Sequence, residues 1–265
     1  MQAVFVAKYL KQYPSIRSCC IAGFGEPLMN PQLLPIIDTL QSAKIITGLV
    51  TNGSFLSKHV PELARRKLVY LSVSLNAATE EEHRAVTATV TWDSVIEGIK
   101  AALKAGINAG ISFVCSKRNL SRIPAMLQLG LDLGVKFIHL VNILPHGDPD
   151  FLTKVITVHN RDALKEIQTA KSLPGAHLVQ CWPEPINLVQ ANPRRCNSPF
   201  VSIGVDGKGF VTGCRRVHGP DGKHGHMDCA KLWEEGQHFV ELRMALNGDR
   251  PLPKSCLLCF GNWKA

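Results

Sequence analysis

The chain has 265 residues, 45% of them hydrophobic, and a formal net charge of +9 at neutral pH. This length and apolar content suit one α/β barrel-like domain with a small appendage, because they are sufficient for a buried core. Lys and Arg are scattered rather than gathered in runs, which argues against nucleic acid as a partner and favours sites for anionic small molecules. No secretory signal and no bilayer-length apolar run are found, so we expect a cytoplasmic protein without membrane contact.

Apolar runs of strand length alternate with helical patterns over residues 1–150, after an amphipathic helix at Val4–Gln12. The predicted strands are Arg17–Ala22, Lys44–Val50, Leu68–Leu75, Ile107–Val114 and Lys136–Leu144. The predicted helices between them are Pro31–Ser42, Ser57–Arg66, Trp92–Ala105 and Ser121–Leu133. The apolar runs are continuous, which is typical of a parallel sheet covered by helices, and their alternation with helices indicates βα units.

The sequence opens with a helix, although a βα unit joins each helix to a strand before it. We therefore expect the chain to begin inside such a unit, with a first strand and its loop of about 30 residues missing. The alternative is that the protein starts at Met1.

The regular pattern stops after residue 150. A connecting segment, 151–191, contains a predicted helix at His159–Ala170 and a predicted strand at His177–Gln180. Residues 192–265 are predicted to form a small α+β domain. Its expected elements are two hairpin strands and one helix, at Phe200–Val205, Gly209–Gly213 and Ala230–Leu246.

A glycine-containing turn follows the first predicted strand and ends at a glutamate. Gly23 and Gly25 allow a ligand to approach the backbone closely, and Glu26 lies between this turn and Pro27. A charged residue at the carboxyl end of a parallel strand lies where α/β barrels bind ligands. An ordinary βα loop with a solvent-exposed glutamate is an equal alternative.

Nine cysteines without an export signal argue for metal or cluster ligation rather than disulfides. Cys196 and Cys214 bracket the predicted hairpin, and Cys256 and Cys259 form a CxxC pair. Four thiolates suit either Zn²⁺ or an iron–sulfur cluster, and spacing does not separate the two. Buried cysteines without a ligand are the remaining alternative, and we expect Cys115 to belong to the core.

Several motifs together resemble the radical S-adenosylmethionine (SAM) enzymes. Gly23-Phe-Gly-Glu-Pro27 is similar to their GGEP motif, and Val50-Thr-Asn-Gly53 to the TNG at the end of the next strand. Ser72-Val-Ser-Leu-Asn76 resembles the SLDG segment that follows. The four cysteines resemble the auxiliary cluster ligands of a C-terminal twitch/SPASM domain. The resemblance covers nearly the whole chain and implies a partial (β/α)6 TIM-like barrel lacking its first strand, followed by such a domain.

The resemblance assigns roles to individual residues. Gly23, Gly25 and Glu26 would meet the methionyl ammonium of SAM through carbonyls and a carboxylate. The remaining SAM contacts that it implies are, in chain order, Asn52, Ser74, Asn76, Arg84 and Val141. The thiolates that would hold an auxiliary [4Fe-4S] cluster are those of Cys196, Cys214, Cys256 and Cys259.

The family's CxxxCxxC motif, which holds the cluster that binds SAM, is not found in this sequence. That motif follows the first strand in the family, and the first strand is also missing, so we expect an N-terminally truncated sequence. The radical SAM [4Fe-4S] cluster is expected only where this segment is present, and a degenerate relative is the alternative.

Three functions remain open. The first is a radical SAM enzyme that forms a 5′-deoxyadenosyl radical and abstracts hydrogen from a small molecule or peptide. It would take electrons from a donor such as flavodoxin or ferredoxin, and substrate contacts are expected at Pro145–Asp150 and near Arg215-Arg216. The second is a non-catalytic barrel scaffold with a Zn(Cys)₄ or iron–sulfur module. The third, action on RNA, is disfavoured because no patch interleaves aromatic and basic residues.

Overall fold

A computed structural model describes residues 1–23, 25–87, 91–143, 150–186, 196, 198–213, 225–227 and 231–251. Its centre is a six-stranded, wholly parallel sheet whose spatial order follows the chain order. The strands are β1 (Ser18–Ile21), β2 (Ile46–Thr51), β3 (Tyr70–Ser74), β4 (Ala109–Cys115), β5 (Ile138–Asn142) and β6 (Val179–Cys181). This sequential parallel order confirms the predicted α/β fold and is consistent with a partial TIM-like barrel.

Helices cover one face of this sheet. The helices of this part are α1 (Ala3–Gln12), α2 (Leu33–Ser42), α3 (Leu56–Ala64), α4 (Glu80–Val86), α5 (Trp92–Lys104), α6 (Ile123–Leu133), α7 (Phe151–Lys154) and α8 (Arg161–Ala170). Of these, α2, α3, α5, α6 and α8 contribute buried residues to the core against the sheet. The main core lies between sheet and helices, where alternate strand residues such as Leu49, Val73 and Ile111 are fully buried. Because strand side chains alternate, the residues between them point to the opposite, concave face. None of the helices in the described ranges is both long and apolar enough to span a bilayer.

The predicted elements of residues 1–143 are confirmed in order and type, with ends that differ by up to two residues. The exception is α4, which was not predicted. Its first turn carries a signal that could have revealed it: Thr79 caps the helix by accepting from the Glu82 amide at 3.3 Å. Helix α2 begins at Leu33 rather than at the predicted Pro31. The Asn30 side chain nevertheless accepts a hydrogen bond from the Gln32 amide at 3.0 Å.

Two glycines allow large aromatic rings to pack directly against the backbone of the concave face. A Cβ on Gly48 would lie 2.3 Å from the Tyr70 ring, and one on Gly110 would lie 2.4 Å from both the ring and the carbonyl oxygen of Phe137. The two rings meet edge to face, with centroids 6.3 Å apart. This aromatic floor, which consists of Tyr70 and Phe137, closes the amino-terminal end of the concave face.

Helix α1 packs on two parts of the molecule at once. On one side its residues Val6 and Leu10 pack against the cluster that includes Leu40 of α2. On the other side Tyr9 and Tyr13 pack against apolar residues of the C-terminal part, among them Val211, Leu232 and Phe239. The hydroxyl of Tyr13 also accepts a hydrogen bond from the Trp233 amide at 3.1 Å. The predicted amphipathic helix therefore packs on two sides and joins the sheet domain to the C-terminal part.

The described C-terminal part contains short elements: α9 (Ser198–Val201), β7 (Gly204–Val205), β8 (Val211–Thr212), α10 (Leu232–Glu235) and α11 (Gln237–Asn247). The predicted hairpin is present, since β7 and β8 pair antiparallel. The prediction that its first strand begins at Phe200 is wrong, because Ser198–Val201 is helical and Val201 is 70% exposed. The single predicted helix Ala230–Leu246 is interrupted at Gly236, whose ψ of 121° is not helical. The small domain as a whole stays a prediction.

We expect Gly110→Ala to destabilise the fold strongly, because the new methyl group would press against the backbone oxygen of Phe137, which cannot rotate away. The expected loss is about 1–3 kcal/mol of unfolding free energy, measured by urea denaturation. Gly207→Ala is the matched control, since a Cβ there has no neighbour within 4 Å. Equal stabilities of the two variants would contradict the close packing of Phe137 on Gly110.

Candidate functional site

The carboxyl ends of β1 to β5 share one edge of the sheet, as parallel strands must. Most of the predicted SAM-contacting residues lie on this edge. Gly23, Gly25 and Glu26 follow β1, Asn52 follows β2, Ser74 ends β3, Asn76 follows it, and Val141 lies near the end of β5. The structure therefore brings together residues that are far apart in the chain.

The carboxylate of Glu26 ties the loop after β1 to the end of β2. Its Oε1 accepts hydrogen bonds from the Thr51 hydroxyl at 2.6 Å and from the Leu28 amide at 2.9 Å. Its Oε2 accepts from the Asn52 amide at 2.7 Å. Thr51 is only 2% exposed, and its hydroxyl also accepts from the Gly53 amide at 3.0 Å. Charge-assisted bonds of this kind are the strong ones, so the two loops are held in one arrangement.

Sequence reasoning assigned Glu26 a ligand role and did not identify Thr51. A carboxylate has about four acceptor positions, and three donors already occupy Glu26. Within the described residues its first role is therefore to position the glycine-containing turn. The contact between Glu26 and the SAM ammonium stays a prediction. The position of Thr51 in the TNG segment could have drawn attention to it. Its partner Glu26 could not be predicted, because the contact depends on how the two loops pack.

Asn52 and Asn76 stabilise the loops that carry them. The side-chain oxygen of Asn52 accepts from the amide and the hydroxyl of Ser54 at 2.9 and 2.6 Å. The side-chain oxygen of Asn76 accepts from the Val114 amide at 3.0 Å, which links the end of β3 to β4. Both residues are exposed. Their amide nitrogens make no hydrogen bond to a described residue and so can donate to a ligand.

Val141 lies beside Val114 in the sheet register, and the two valines are 38% and 40% exposed. They form an open apolar patch near the carboxyl edge. The neighbouring Leu140 is fully buried against the helices, because successive strand residues point to opposite faces. Val141, but not Leu140, therefore faces the side on which the aromatic ring of a ligand would lie.

Arg84 does not join the other predicted residues. It lies on α4, its side chain is 78% exposed, and it pairs with Glu80 one helical turn away at 2.5 Å. Exposed pairs at this spacing are weak, so Arg84 remains free to exchange partners. Its contact with the SAM carboxylate stays a prediction.

Of the four predicted cluster ligands, only Cys196 belongs to the described residues, where it is half-buried. Cys214, Cys256 and Cys259 lie outside them, as do most of Pro145–Asp150 and both Arg215 and Arg216. The prediction that Cys115 is a core residue is confirmed by its complete burial.

Burial also sets the protonation of two thiols in the sheet domain. It raises the pKa of Cys19 to about 11 and that of Cys115 to about 12. Metal ligands and nucleophiles are thiolates, and both groups are protonated at neutral pH. Neither thiol is therefore suited to ligation or nucleophilic attack as it stands.

We expect Thr51→Val to loosen the two loops, because the valine cannot donate to Glu26 or accept from Gly53. The expected loss of unfolding free energy is about 1.5–3 kcal/mol, and hydrogen exchange of the Asn52 amide should accelerate. Thr51→Ser keeps the hydroxyl and should lose less. Thr39→Val on α2 removes only an exposed bond to a helix carbonyl and serves as the control. An unchanged hydrogen-exchange rate of the Asn52 amide in Thr51→Val would contradict the role of the Thr51 hydroxyl in holding the two loops together.

Comparisons with known proteins agree with this arrangement. The family model of the Radical SAM superfamily matches residues 2–130. A probable GTP 3′,8-cyclase of Sulfurisphaera tokodaii is 35% identical over 144 residues, which cover 54% of this chain and 45% of that protein. A probable GTP 3′,8-cyclase of Saccharolobus solfataricus is 30% identical over 221 residues, which cover 77% of this chain and 70% of that protein.

Solved structures share the fold at low identity. Streptococcus suis SuiB bound to the precursor peptide SuiA superposes with a TM-score of 0.75 at 17% identity, covering 92% of this chain and 60% of SuiB. The protein anSMEcpe with bound AdoMet superposes with a TM-score of 0.63 at 14% identity, covering 90% of this chain and 72% of that protein. The chain thus spans less than two thirds of SuiB and of the Sulfurisphaera relative. On the family model, the Saccharolobus relative and the parallel α/β fold, the chain belongs to the radical SAM superfamily.

Proposed function

We propose that the protein to which this chain belongs cleaves SAM reductively and uses the resulting 5′-deoxyadenosyl radical to abstract hydrogen from a small molecule or peptide. The observation that carries this proposal is the strand-end arrangement, in which the Glu26 turn is tied to the TNG loop beside Ser74, Asn76 and Val141. Membership of the superfamily supports the reaction type.

The residues of this chain bind and orient SAM in the proposal. The carbonyls of Gly23 and Gly25, together with the remaining acceptor position of Glu26, meet the methionyl ammonium. An added Cβ on Gly25 would have no neighbour within 4 Å, so the backbone there is open to a ligand. Asn52, Ser74 and Asn76 donate to the ribose or carboxylate, Val141 flanks the adenine, and Arg84 pairs with the carboxylate. When bound, SAM supplies the adenosyl group that becomes the radical.

Two iron–sulfur clusters belong to the proposal. The auxiliary [4Fe-4S] cluster is held by the thiolates of Cys196, Cys214, Cys256 and Cys259. The cluster that reduces SAM is proposed only on the condition that a CxxxCxxC motif, which these 265 residues do not contain, is present. Flavodoxin or ferredoxin is the proposed electron donor, and the cytoplasm is the proposed location.

The comparisons suggest two substrate classes. The sequence relatives are named as GTP cyclases, so guanosine triphosphate is the first small molecule to test. SuiB binds a precursor peptide, which supports a peptide as the other class.

The second candidate function is a non-catalytic scaffold with a Zn(Cys)₄ or iron–sulfur module. The four thiolates favour it, because they suit zinc as well as iron. The two candidates differ in the binding of SAM, and a zinc ion in place of iron would favour the scaffold; both properties can be measured on this chain.

We expect anaerobic metal analysis to find about four irons and four sulfides per chain, with broad visible absorbance that bleaches under dithionite. Replacing both Cys256 and Cys259 by Ala should remove the iron. Cys181→Ala, at an exposed thiol outside the predicted ligand set, should not. One zinc and no iron would overturn the redox role of the C-terminal part and favour the scaffold.

We expect the chain to bind S-adenosylhomocysteine, a SAM analogue without the sulfonium, in isothermal titration calorimetry. Asn76→Ala removes a donor aimed at the ligand and should weaken binding about tenfold. Asn247→Ala, at an exposed position of α11, is the control and should bind like the wild type. A wild-type chain that does not bind the analogue would contradict the proposed SAM site.

A further inference from the structure

Three polar side chains lie at one height on the concave face. The sheet register pairs Ser74 of β3 with Ser112 of β4, and Ser112 with His139 of β5. Register partners on neighbouring parallel strands point to the same side, and the flanking residues Val73, Ile111 and Leu140 are buried on the other side. We call these residues, Ser74, Ser112 and His139, the Ser–His row. Each is half-buried, so the row is open to a ligand.

The imidazole of His139 is held in place from two directions. Its ring lies 4.7 Å from the Phe137 ring, at an angle of 34°. Its Nε2 lies 3.3 Å from Oε1 of Gln180 on β6. With the amide oxygen of Gln180 as acceptor, Nε2 carries the proton and Nδ1 of the neutral ring is an acceptor. Nδ1 has no hydrogen-bond partner among the described residues, so it can receive a donor from a ligand.

The Ser–His row lies between two apolar layers of the concave face, one aromatic and one aliphatic. Below it, Tyr70 and Phe137 form the aromatic floor, and above it Val114 and Val141 form the open apolar patch. Residues two apart on a strand are separated by about 6.7 Å, so His139 lies deeper than Val141 by one such step. Three adjacent strands span about 10 Å, which leaves room for a ring system with its substituents. A group on the row is therefore below the proposed adenine contact.

The Ser–His row consists of two hydroxyl groups and one imidazole, and it carries no charge when the imidazole is neutral. The concave-facing residues of β3, β4 and β5 in the described chain include no Asp, Glu, Lys or Arg. These three strands offer no counter-charge to a charged ligand group, which would lose hydration there, whereas hydroxyl and amide groups find both donors and acceptors. The chemistry of the row thus selects a neutral, planar group that bears hydroxyl or amide functions, as a nucleoside does.

We propose that Ser112 and His139 of the Ser–His row form a substrate subsite that takes the nucleoside part of the substrate, next to Ser74, which contacts SAM, and one strand step below Val141. Nδ1 of His139 accepts from a hydroxyl or N–H of that nucleoside, Ser112 offers its hydroxyl beside it, and Gln180 fixes the imidazole tautomer. His139 is then a specificity-determining residue. This inference rests on the proposed function, because it assumes that the adenine of SAM contacts Val141.

The experiment titrates guanosine into the whole chain in the presence of saturating S-adenosylhomocysteine and measures both affinities by calorimetry. His139→Phe keeps a ring on Phe137 but has no nitrogen, and His139→Gln keeps the contact with Gln180 but has no atom at the Nδ1 position. Both should weaken guanosine binding about tenfold. His139→Asn places an amide oxygen near the Nδ1 position and should stay within about threefold of the wild type. Ser112→Ala should weaken guanosine binding in the same direction as His139→Phe.

His177→Asn, at an exposed histidine before β6, is the control and should change neither affinity. The binding of S-adenosylhomocysteine should change less than about twofold in every variant, which a general loss of structure would not allow. Wild-type chain that binds the analogue but not guanosine overturns the nucleoside subsite and leaves the proposed SAM site standing. Equal guanosine affinity in His139→Phe and wild type overturns the role of His139. Failure of the analogue itself to bind overturns the proposed function.

If His139→Phe does not fold, as judged by thermal unfolding, the comparison of Ser112→Ala with His139→Asn decides the proposal. Guanosine binding that weakens in Ser112→Ala and is kept in His139→Asn supports the row. Unchanged binding in Ser112→Ala overturns it.

Discussion

The covering of one sheet face by helices decides most of what this molecule can do. Strand side chains alternate, so every residue buried against the helices leaves its neighbours to the concave face. On that face the chain carries small and neutral residues, among them Gly48, Ser74, Gly110 and Ser112. A closed barrel fills its interior with layers of bulky side chains. Among the described strand residues, Tyr70 and Phe137 fill one end of this face, whereas Val114 and Val141 near the carboxyl edge are 40% and 38% exposed.

The carboxyl edge is organised by hydrogen bonds between loops rather than by packing. Glu26 joins the first two loops, and Asn76 joins the end of β3 to β4. Each bond uses a side-chain acceptor rather than a backbone carbonyl, and the side-chain amide nitrogens of Asn52 and Asn76 make no hydrogen bond to a described residue. A residue type that family resemblance assigns to ligand binding can thus have a structural role as well. In Glu26 both roles fit one carboxylate, because it has more acceptor positions than the loops use.

Helix α1 shows how the sheet domain and the C-terminal part are coupled. Tyr9 and Tyr13 pack against Leu232 and Phe239, while the opposite side of the helix packs against α2. Burial also raises the pKa of Tyr9 well above its usual range, so this phenol stays neutral. Helix α1 therefore packs against both the sheet domain and the C-terminal part.

The sequence by itself determined the order and type of the elements in the sheet domain, because hydrophobic periodicity and turn residues are local properties of the chain. The local pattern also singled out Glu26, because a charged residue after a buried run and two glycines stands out, whereas Asn52, Ser74 and Asn76 were assigned by the resemblance to the radical SAM family. The sequence pattern was misleading at Val201. It predicted a strand there because the residue is apolar, but Ser198–Val201 is helical and Val201 is exposed.

Only the tertiary structure decided the contacts between distant segments. The bond from Thr51 to Glu26, the alignment of Ser112 and His139 with Ser74, and the exposure of Arg84 all depend on strand register and loop packing. Register is set by which faces of several strands are buried together, and no single stretch of sequence contains that information.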